Sequence, residues 1–345
     1  MASRVSMAAL HTKGAALRAL GPGLGVAVMV ALAAQFVSDH YGAPVMLMAL
    51  LFGMVLNFLG EEGPCRAGVN AAAGTLLRLG VALLGFRVSL MLLVDLGWPV
   101  AFLVVGAVVV TILIGVALAP AFGHGWRFGL LSGGAVAICG ASAAVAIAAI
   151  LPRDDRSEER LVFTVAAVTL MSTVAMILYP ILVNTLGLSD GAAAIFLGAS
   201  IHDVAQVVGA GFSVSPEVGE TATAVKLMRV ALLAPVLIIV AVVIRVFASD
   251  AAKATDMRRP PLLPWFVVAF LAASTASSIG YVPETVIEAT GTLSRWALVI
   301  AIAGVGLKTS LARIMQVGRG AAMLVIIETM LLGGLVIATV GFLAP

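Results

Sequence analysis

Charge is scarce in this sequence. Only 11% of its 345 residues are Asp, Glu, Lys or Arg, whereas 62% are hydrophobic; water-soluble chains carry about 25% and 45–50% respectively. Such a chain cannot cover its apolar surface in water, so it reads as an integral membrane protein. Disordered and disulfide-stapled secreted classes are excluded by the same figures. Cysteine is nearly absent as well. Cys65 sits in a short polar loop and Cys139 in an apolar run, too few for a disulfide framework, and both are expected as free thiols. The net charge of +3 is too slight an excess to argue for nucleic acid. No G-x-x-x-x-G-K-[ST] string occurs, so ATP hydrolysis is not the expected energy source and no cofactor is implied.

Long apolar runs are what the sequence does have. A helix needs about 20 residues to cross a hydrocarbon core, and eleven apolar segments are legible: Gly21 to Val37, Pro44 to Leu59, Ala71 to Leu92, Trp98 to Leu118, Phe128 to Leu151, Leu161 to Val183, Ala192 to Phe212, Ala224 to Val246, Leu262 to Ser278, Leu293 to Leu307 and Ala321 to Leu343. No stretch between them could hold a soluble domain. The expected organisation is one all-α transmembrane domain over residues 1–345, with an N-terminal tail over 1–20, a first repeat element over 44–120, a broken-helix core over 128–246 and a second repeat element over 262–343. The run VALAA from Val30 offers a small-residue cleavage site, but an uncleaved anchor is the favoured reading of the first segment.

Basic residues favour the cytoplasmic side. With the N-terminus inside, Arg245, Lys253, Arg258 and Arg259, and later Lys308, Arg313 and Arg319, all fall inside, while Glu284 and Glu288 fall outside. One loop disagrees: eleven full spans would put Arg153, Arg156 and Arg160 outside. Two re-entrant hairpins repair this, if Phe128 to Leu151 and Ala192 to Phe212 each dip in and return to their own side. Eleven spans, with Asp154, Asp155, Glu158 and Glu159 masking the bias, is the alternative.

An internal repeat is present. The third segment carries GTLLR from Gly74 and GFRVSL from Gly85; the tenth carries GTLSR from Gly291 and GLKTSL from Gly306. In either topology these segments run in opposite directions, the pattern of the inverted repeats of secondary transporters. Segments two to four thus correspond to nine to eleven, with Arg87 matching Lys308. A weaker correspondence joins GGAVAICGASAA from Gly133 with GASIHDVAQVVGAG from Gly198. Gly and Ser there point to broken helices facing each other across a cavity, since irregular backbone inside a membrane must line protein or water.

The polar residues in these runs are the candidate site. Ser200, His202, Asp203 and Gln206 lie where a charge costs roughly 2.5–3.5 kcal/mol on insertion scales unless it meets a partner or water. Gly133, Gly134, Cys139, Gly140 and Ser142 could offer backbone NH groups and a hydroxyl to an oxyanion at a helix start; close helix packing explains small residues equally well. Cys139 and Ser142, three apart, are expected on one face. Lys226 and Arg229 either neutralise a dianion or snorkel to the outer interface. His202 and Asp203 are candidates for proton coupling, and Glu328, alone among ionisable side chains between Ala321 and Pro345, is another. A structural His202–Asp203 clamp is the competing reading. No second His or Cys at ligand spacing supports zinc, and no hydrolase motif supports an enzyme.

The strings LRLGVALLGFRVSL, ICGASAA, SIHDVAQVVGAG and KLMRVALLAP, in this order, resemble the YeiH-like sulfate exporter family of bacterial inner membranes, over nearly the whole chain after Pro44. One position departs from the family's Glu: Asp203 keeps the carboxylate and shortens its reach. The resemblance implies export of sulfate or a related anion, and kinship with transporters of the bile acid, arsenite and cation/proton antiporter kind, built from inverted repeats with crossed, broken helices. The expected function is therefore secondary transport of a small anion by alternating access, coupled to H+ or Na+ or driven by the anion's own gradient. A homo-oligomer in the bilayer is compatible with this reading. The alternatives are a passive anion channel and a cation/proton antiporter using Asp203 and Glu328.

Overall fold

The structure, a computed structural model, describes residues 2–41, 43–88, 96–152, 154, 156–247, 264–309 and 319–343. The parts of the GFRVSL and GLKTSL strings at 89–90 and 310–311, Arg153, Asp155 and the basic residues 253, 258, 259 and 313 lie outside them. Among the described residues the regular structure is helical throughout. In chain order the helices are α1 (Ala2–Tyr41), α2 (Val45–Val55), α3 (Phe58–Glu61), α4 (Arg66–Ala71), a π-helical turn (Ala72–Leu76), α5 (Leu77–Leu84), α6 (Gly97–Leu118) and a 3-10 turn (Ala119–Phe122). There follow α7 (Trp126–Ala137), α8 (Ala141–Ile150), α9 (Ser157–Leu186), α10 (Asp190–Ser200), α11 (Val204–Val214), α12 (Pro216–Ala231), α13 (Leu233–Phe247), α14 (Trp265–Ser278), α15 (Glu284–Lys308) and α16 (Arg319–Leu343). Among the described residues, seven helical stretches are long and apolar enough to cross a membrane, and five shorter apolar helices accompany them. Both cysteines are free.

The chain forms two compact units that cut across the blocks expected from sequence: Met1–Phe86 with Val282–Ser310, and Arg87–Tyr281 with Leu311–Pro345. In the first, α15 runs antiparallel to the stretch from α4 to α5. Gly80 packs on Ala297 and Leu298, Gly304 on Ala72 and Ala73, and Ser294 Oγ donates to the Gly80 carbonyl at 2.7 Å. The opposed direction expected of the third and tenth segments is therefore present. The two copies are not identical, because Gly74, Thr75 and Leu76 of the first lie in the π-helical turn while α15 stays regular. Val30, Ala31 and Ala34 of the VALAA region are buried in this unit, where Gly23 of α1 meets residues 65–69 in close backbone contact.

In the second unit α6 and α16 are likewise antiparallel: Gly115 of α6 abuts Glu328, and Phe122 beyond its end abuts Gly320. The fourth and eleventh segments thus repeat the inverted relation of the third and tenth. Between them lie two hairpins. The arms α7, α8, α10 and α11 have 10–12 residues, about 15–18 Å at 1.5 Å per residue, which reaches only halfway through a hydrocarbon core of about 30 Å.

The packing fixes their direction. In the first hairpin Gly134 of α7 faces Ile147 of α8, and the two outer ends come together where Arg127 binds Asp154 at 2.9 Å. In the second, α10 descends along α9 from Phe196, packed at a tilt against Tyr179 with ring centroids 4.9 Å apart. At the tip the Asp203 amide donates to Ser172 Oγ at 3.0 Å. Arm α11 then climbs back until Gly209 meets Met176. Both segments are therefore re-entrant, and they enter from opposite ends of α9. Their tips meet beside Val168 and Ser172, at the middle of that 30-residue helix.

Candidate functional site at the hairpin tips

Each hairpin turns over three residues, Ile138–Gly140 in one and Ile201–Asp203 in the other. Gly140 takes φ +64° and ψ −127°, a conformation open to glycine and strained for other residues. A Cβ placed on it would lie 3.8 Å from Asp203 Cβ and 3.5 Å from Val168 Cγ1. The tips are thus in contact rather than facing across a cavity, which corrects the expectation from sequence.

Four helix ends converge there. The C-termini of α7 and α10 each bring partial negative charge, about half an elementary charge, and unpaired carbonyls; the N-termini of α8 and α11 bring the opposite. The carbonyls are taken up by two side chains of α12, both wholly buried. Lys226 Nζ donates to the carbonyls of Ile138 at 2.6 Å and Ile201 at 2.9 Å. Arg229 Nε and Nη2 donate to Ala137 and Val136, and Nη1 to Ala199 at 2.7 Å and Ile201 at 3.0 Å. One lysine and one arginine thereby join the C-terminal ends of the first arms of both hairpins, α7 and α10.

This corrects two readings of Lys226 and Arg229. They do not snorkel, being buried at the level of the tips. Nor does the Arg229 guanidinium point at an open anion position, since its fork is committed to backbone carbonyls; two of the three Lys226 Nζ protons are committed in the same way. The backbone acceptors carry no residue-specific signature, so sequence could reveal the charges and not their partners.

The two N-termini differ. Neither Gly140 nor Asp203 closes its helix with a side-chain cap. At the hairpin bases, by contrast, Ser189 Oγ accepts from the Ala192 amide and Ser215 Oγ from the Val218 amide. Among the described residues the Cys139 thiol lies against the Ala143 amide of α8; the first turns of α8 and α11 otherwise lie at the tips without the N-cap side-chain bonds found at the hairpin bases.

The other candidates separate into tip and scaffold. Gly133 and Gly134 lie inside α7, not at its break: Gly133 packs on the α6 backbone at Thr111–Gly115 and Gly134 on Ile147, so they are close-packing positions. Ser200 Oγ donates back to the Phe196 carbonyl at 2.5 Å and is buried. Gln206 is buried on Thr173, 3.5 Å from its Oγ1. Cys139 is buried at the tip and Ser142 is exposed in the first turn of α8; the intervening break prevents them from sharing the expected face. His202 is wholly buried, with Nε2 2.9 Å from Thr329 Oγ1. The Thr329 hydroxyl itself donates to the Val325 carbonyl at 2.8 Å, so Nε2 carries the proton toward Thr329.

Sequence reasoning missed Ser132 and Thr329. Ser132 Oγ donates to Glu328 Oε1 at 2.8 Å, and Thr329 reaches His202, so α16 touches both hairpins through adjacent residues. Arg87 forms an ion pair with Glu220 of α12 at 3.1 Å.

Residues 21–325 match the profile of a protein family described as conserved hypothetical protein 698. Among curated proteins the chain is 55% identical to the UPF0324 membrane protein TauZ of Paracoccus pantotrophus, over 92% of this chain and 94% of that one. It is 54% identical to a UPF0324 membrane protein of Rhizobium meliloti, over 95% and 94%. A UPF0324 membrane protein of Chlorobaculum tepidum is 47% identical, over 92% and 88%.

Proposed function

The chain belongs to the family of UPF0324 membrane proteins, and from the geometry of its hairpin tips we propose that it is a secondary carrier of a small anion, sulfate or a related sulfur oxyanion or organic anion, acting by alternating access. One observation carries the reading. Arg229 and Lys226 neutralise the two C-terminal helix ends, leaving the uncapped N-termini of α8 and α11 as the polar groups offered at the tips. Backbone amides and dipoles of that sign suit an oxyanion, and broken helices meeting near mid-membrane are the usual carrier arrangement.

The cation/proton antiporter reading is less well supported, because a cation reaching Asp203 would do so beside the two buried basic side chains. Enzymatic chemistry is not part of this reading, since the His202 ring is directed to Thr329. Membrane orientation follows from charge. Arg127, Arg156 and Arg160 cluster at one end of the second unit, with Asp190 and Glu217 at the other, and the positive-inside rule assigns the arginine end to the cytoplasm of a bacterial inner membrane.

Counterflow tests the carrier function. Proteoliposomes preloaded with unlabelled sulfate should take up labelled sulfate faster than unloaded ones, because a carrier returns quickly when its site is filled. A channel has no such cycle, and equal rates would exclude the reading. A thermal-shift screen with sulfate, sulfite, sulfonates and carboxylates then ranks the anions.

A further inference from the structure

Glu328 stands at the middle of a membrane-spanning helix and is wholly buried. Its slot is built from the glycines of two other helices: a methyl on Gly115 would meet Glu328 Oε1 and the Gly129 carbonyl, both at 2.6 Å, and the Gly133 Cα at 2.9 Å. Ser132 donates to Oε1, while Oε2 has no hydrogen-bond partner among the described residues. Among the described residues the surroundings supply no counter-charge. Helix α6 has no ionisable residue in its 22 positions. Helix α7 brings Ser132, and its single charge, Arg127, is held at the outer end by Asp154. Helix α9 brings Tyr179, whose hydroxyl faces Gly333 one turn away. The second hairpin brings His202, whose Nε2 bonds to the neighbouring Thr329 while its Nδ1 has no hydrogen-bond partner among the described residues, and Lys226 and Arg229 donate to the carbonyls of the tips. The 3-10 turn region brings His124, next to Gly320 at the start of α16.

A carboxylate here would be an uncompensated charge in a dry site, which costs several kcal/mol. The neutral acid fits: Oε1 accepts from Ser132 and the acid proton sits on Oε2. We propose that Glu328 carries a proton across the membrane together with the anion. The proposal rests on the carrier reading and adds its coupling ion. The balance is simple: a proton from one aqueous side binds Oε2, crosses with the loaded unit, and leaves to the other side with the anion. Loss of the proton would place a second negative charge in the unit that holds the anion, so each favours the other by linkage. Of the three coupling candidates, Glu328 is chosen because Asp203 is at the tip beside two basic side chains, and because His202, whose Nδ1 is also unpartnered among the described residues, follows Ile201, whose carbonyl holds both of those cations, so that a protonated ring there would add a third positive charge.

The test uses Glu328→Gln in the full-length protein, reconstituted with labelled sulfate as the probe. Gln keeps the Oε1 acceptor for Ser132, so the fold should survive. Wild-type protein should accumulate sulfate when an inward proton gradient is imposed, and the variant should lose that accumulation while keeping sulfate counterflow at equal pH. Gradient-driven accumulation undiminished in the variant would overturn the proposal. A second readout needs no substrate. Infrared difference spectra between acid and alkaline pH should contain the C=O stretch of a protonated carboxyl that disappears in Glu328→Gln; an unchanged band would overturn the proposal too. Wild-type protein without counterflow, but with the Glu328 band present, would count against the carrier reading and not against the proton site.

Discussion

Arg229 decides whether the two hairpins can meet. Removing its guanidinium would leave the carbonyls of Val136, Ala137 and Ala199 without their donor in a dry site, a loss on the order of 3–5 kcal/mol by analogy with broken buried pairs. Arg229→Gln should therefore lower the thermal midpoint in detergent sharply, and Arg229→Lys should rescue little, because an ammonium cannot reproduce the planar fork. A folded Arg229→Gln protein that merely binds sulfate more weakly would return the residue to the substrate site. Gly140 makes a different demand. Its neighbours leave ordinary van der Waals room for a methyl group, so the cost of Gly140→Ala is conformational, about 1–3 kcal/mol for a residue held at this φ and ψ. Sulfate exchange should fall with the tip's geometry while expression persists, and full exchange in the variant would show that the tip can relax.

At the scale of elements, the first hairpin depends on its base as much as on its tip. Asp154 accepts from Arg127, from Arg160 at 2.9 Å and from Ser157 Oγ at 3.0 Å, tying the outer ends of α7, α8 and α9 together. Partial burial works against its charge, but these hydrogen bonds outweigh it and hold the carboxyl at about 2, below its ordinary 3.8. The contribution is therefore complete above about pH 4 and lost as pH falls through about 2. Asp154→Asn should flatten that acid-side decline in the thermal midpoint, and an unchanged decline would mean that other carboxylates dominate. The hairpin segments were legible in sequence because glycine, serine and charge interrupt otherwise continuous apolar runs, and because the arginine loop broke the charge rule. Their contacts were not. Ser132 lies 196 residues from Glu328 and reads as one more small residue in a helix. The misassigned Gly133 and Gly134 follow from the same ambiguity, since small residues serve breaks and close packing alike.

For the molecule as a whole, the inverted relation of α6 to α16 and of the two hairpins makes a prediction about sidedness that full spans would contradict. If both hairpins return to their own side, Gly125 before α7 and Ser157 at the start of α9 lie on one side of the membrane, while Leu188 before α10 and Ser215 after α11 lie together on the other. Single cysteines at these four positions, introduced after replacing Cys65 and Cys139 with Ser and Ala, can be labelled in intact cells with a membrane-impermeant maleimide. Positions 188 and 215 should label from outside. Positions 125 and 157 should label only once the membrane is opened, since Arg127, Arg156 and Arg160 at their end favour the cytoplasm. Two full spans in place of the hairpins would separate 125 from 157 and 188 from 215. That split within either pair would overturn the re-entrant fold. Reversed labelling of both pairs would leave the fold standing and overturn only the orientation. The four positions therefore distinguish the architecture, which follows from packing between side chains, from the sidedness, which follows from charge.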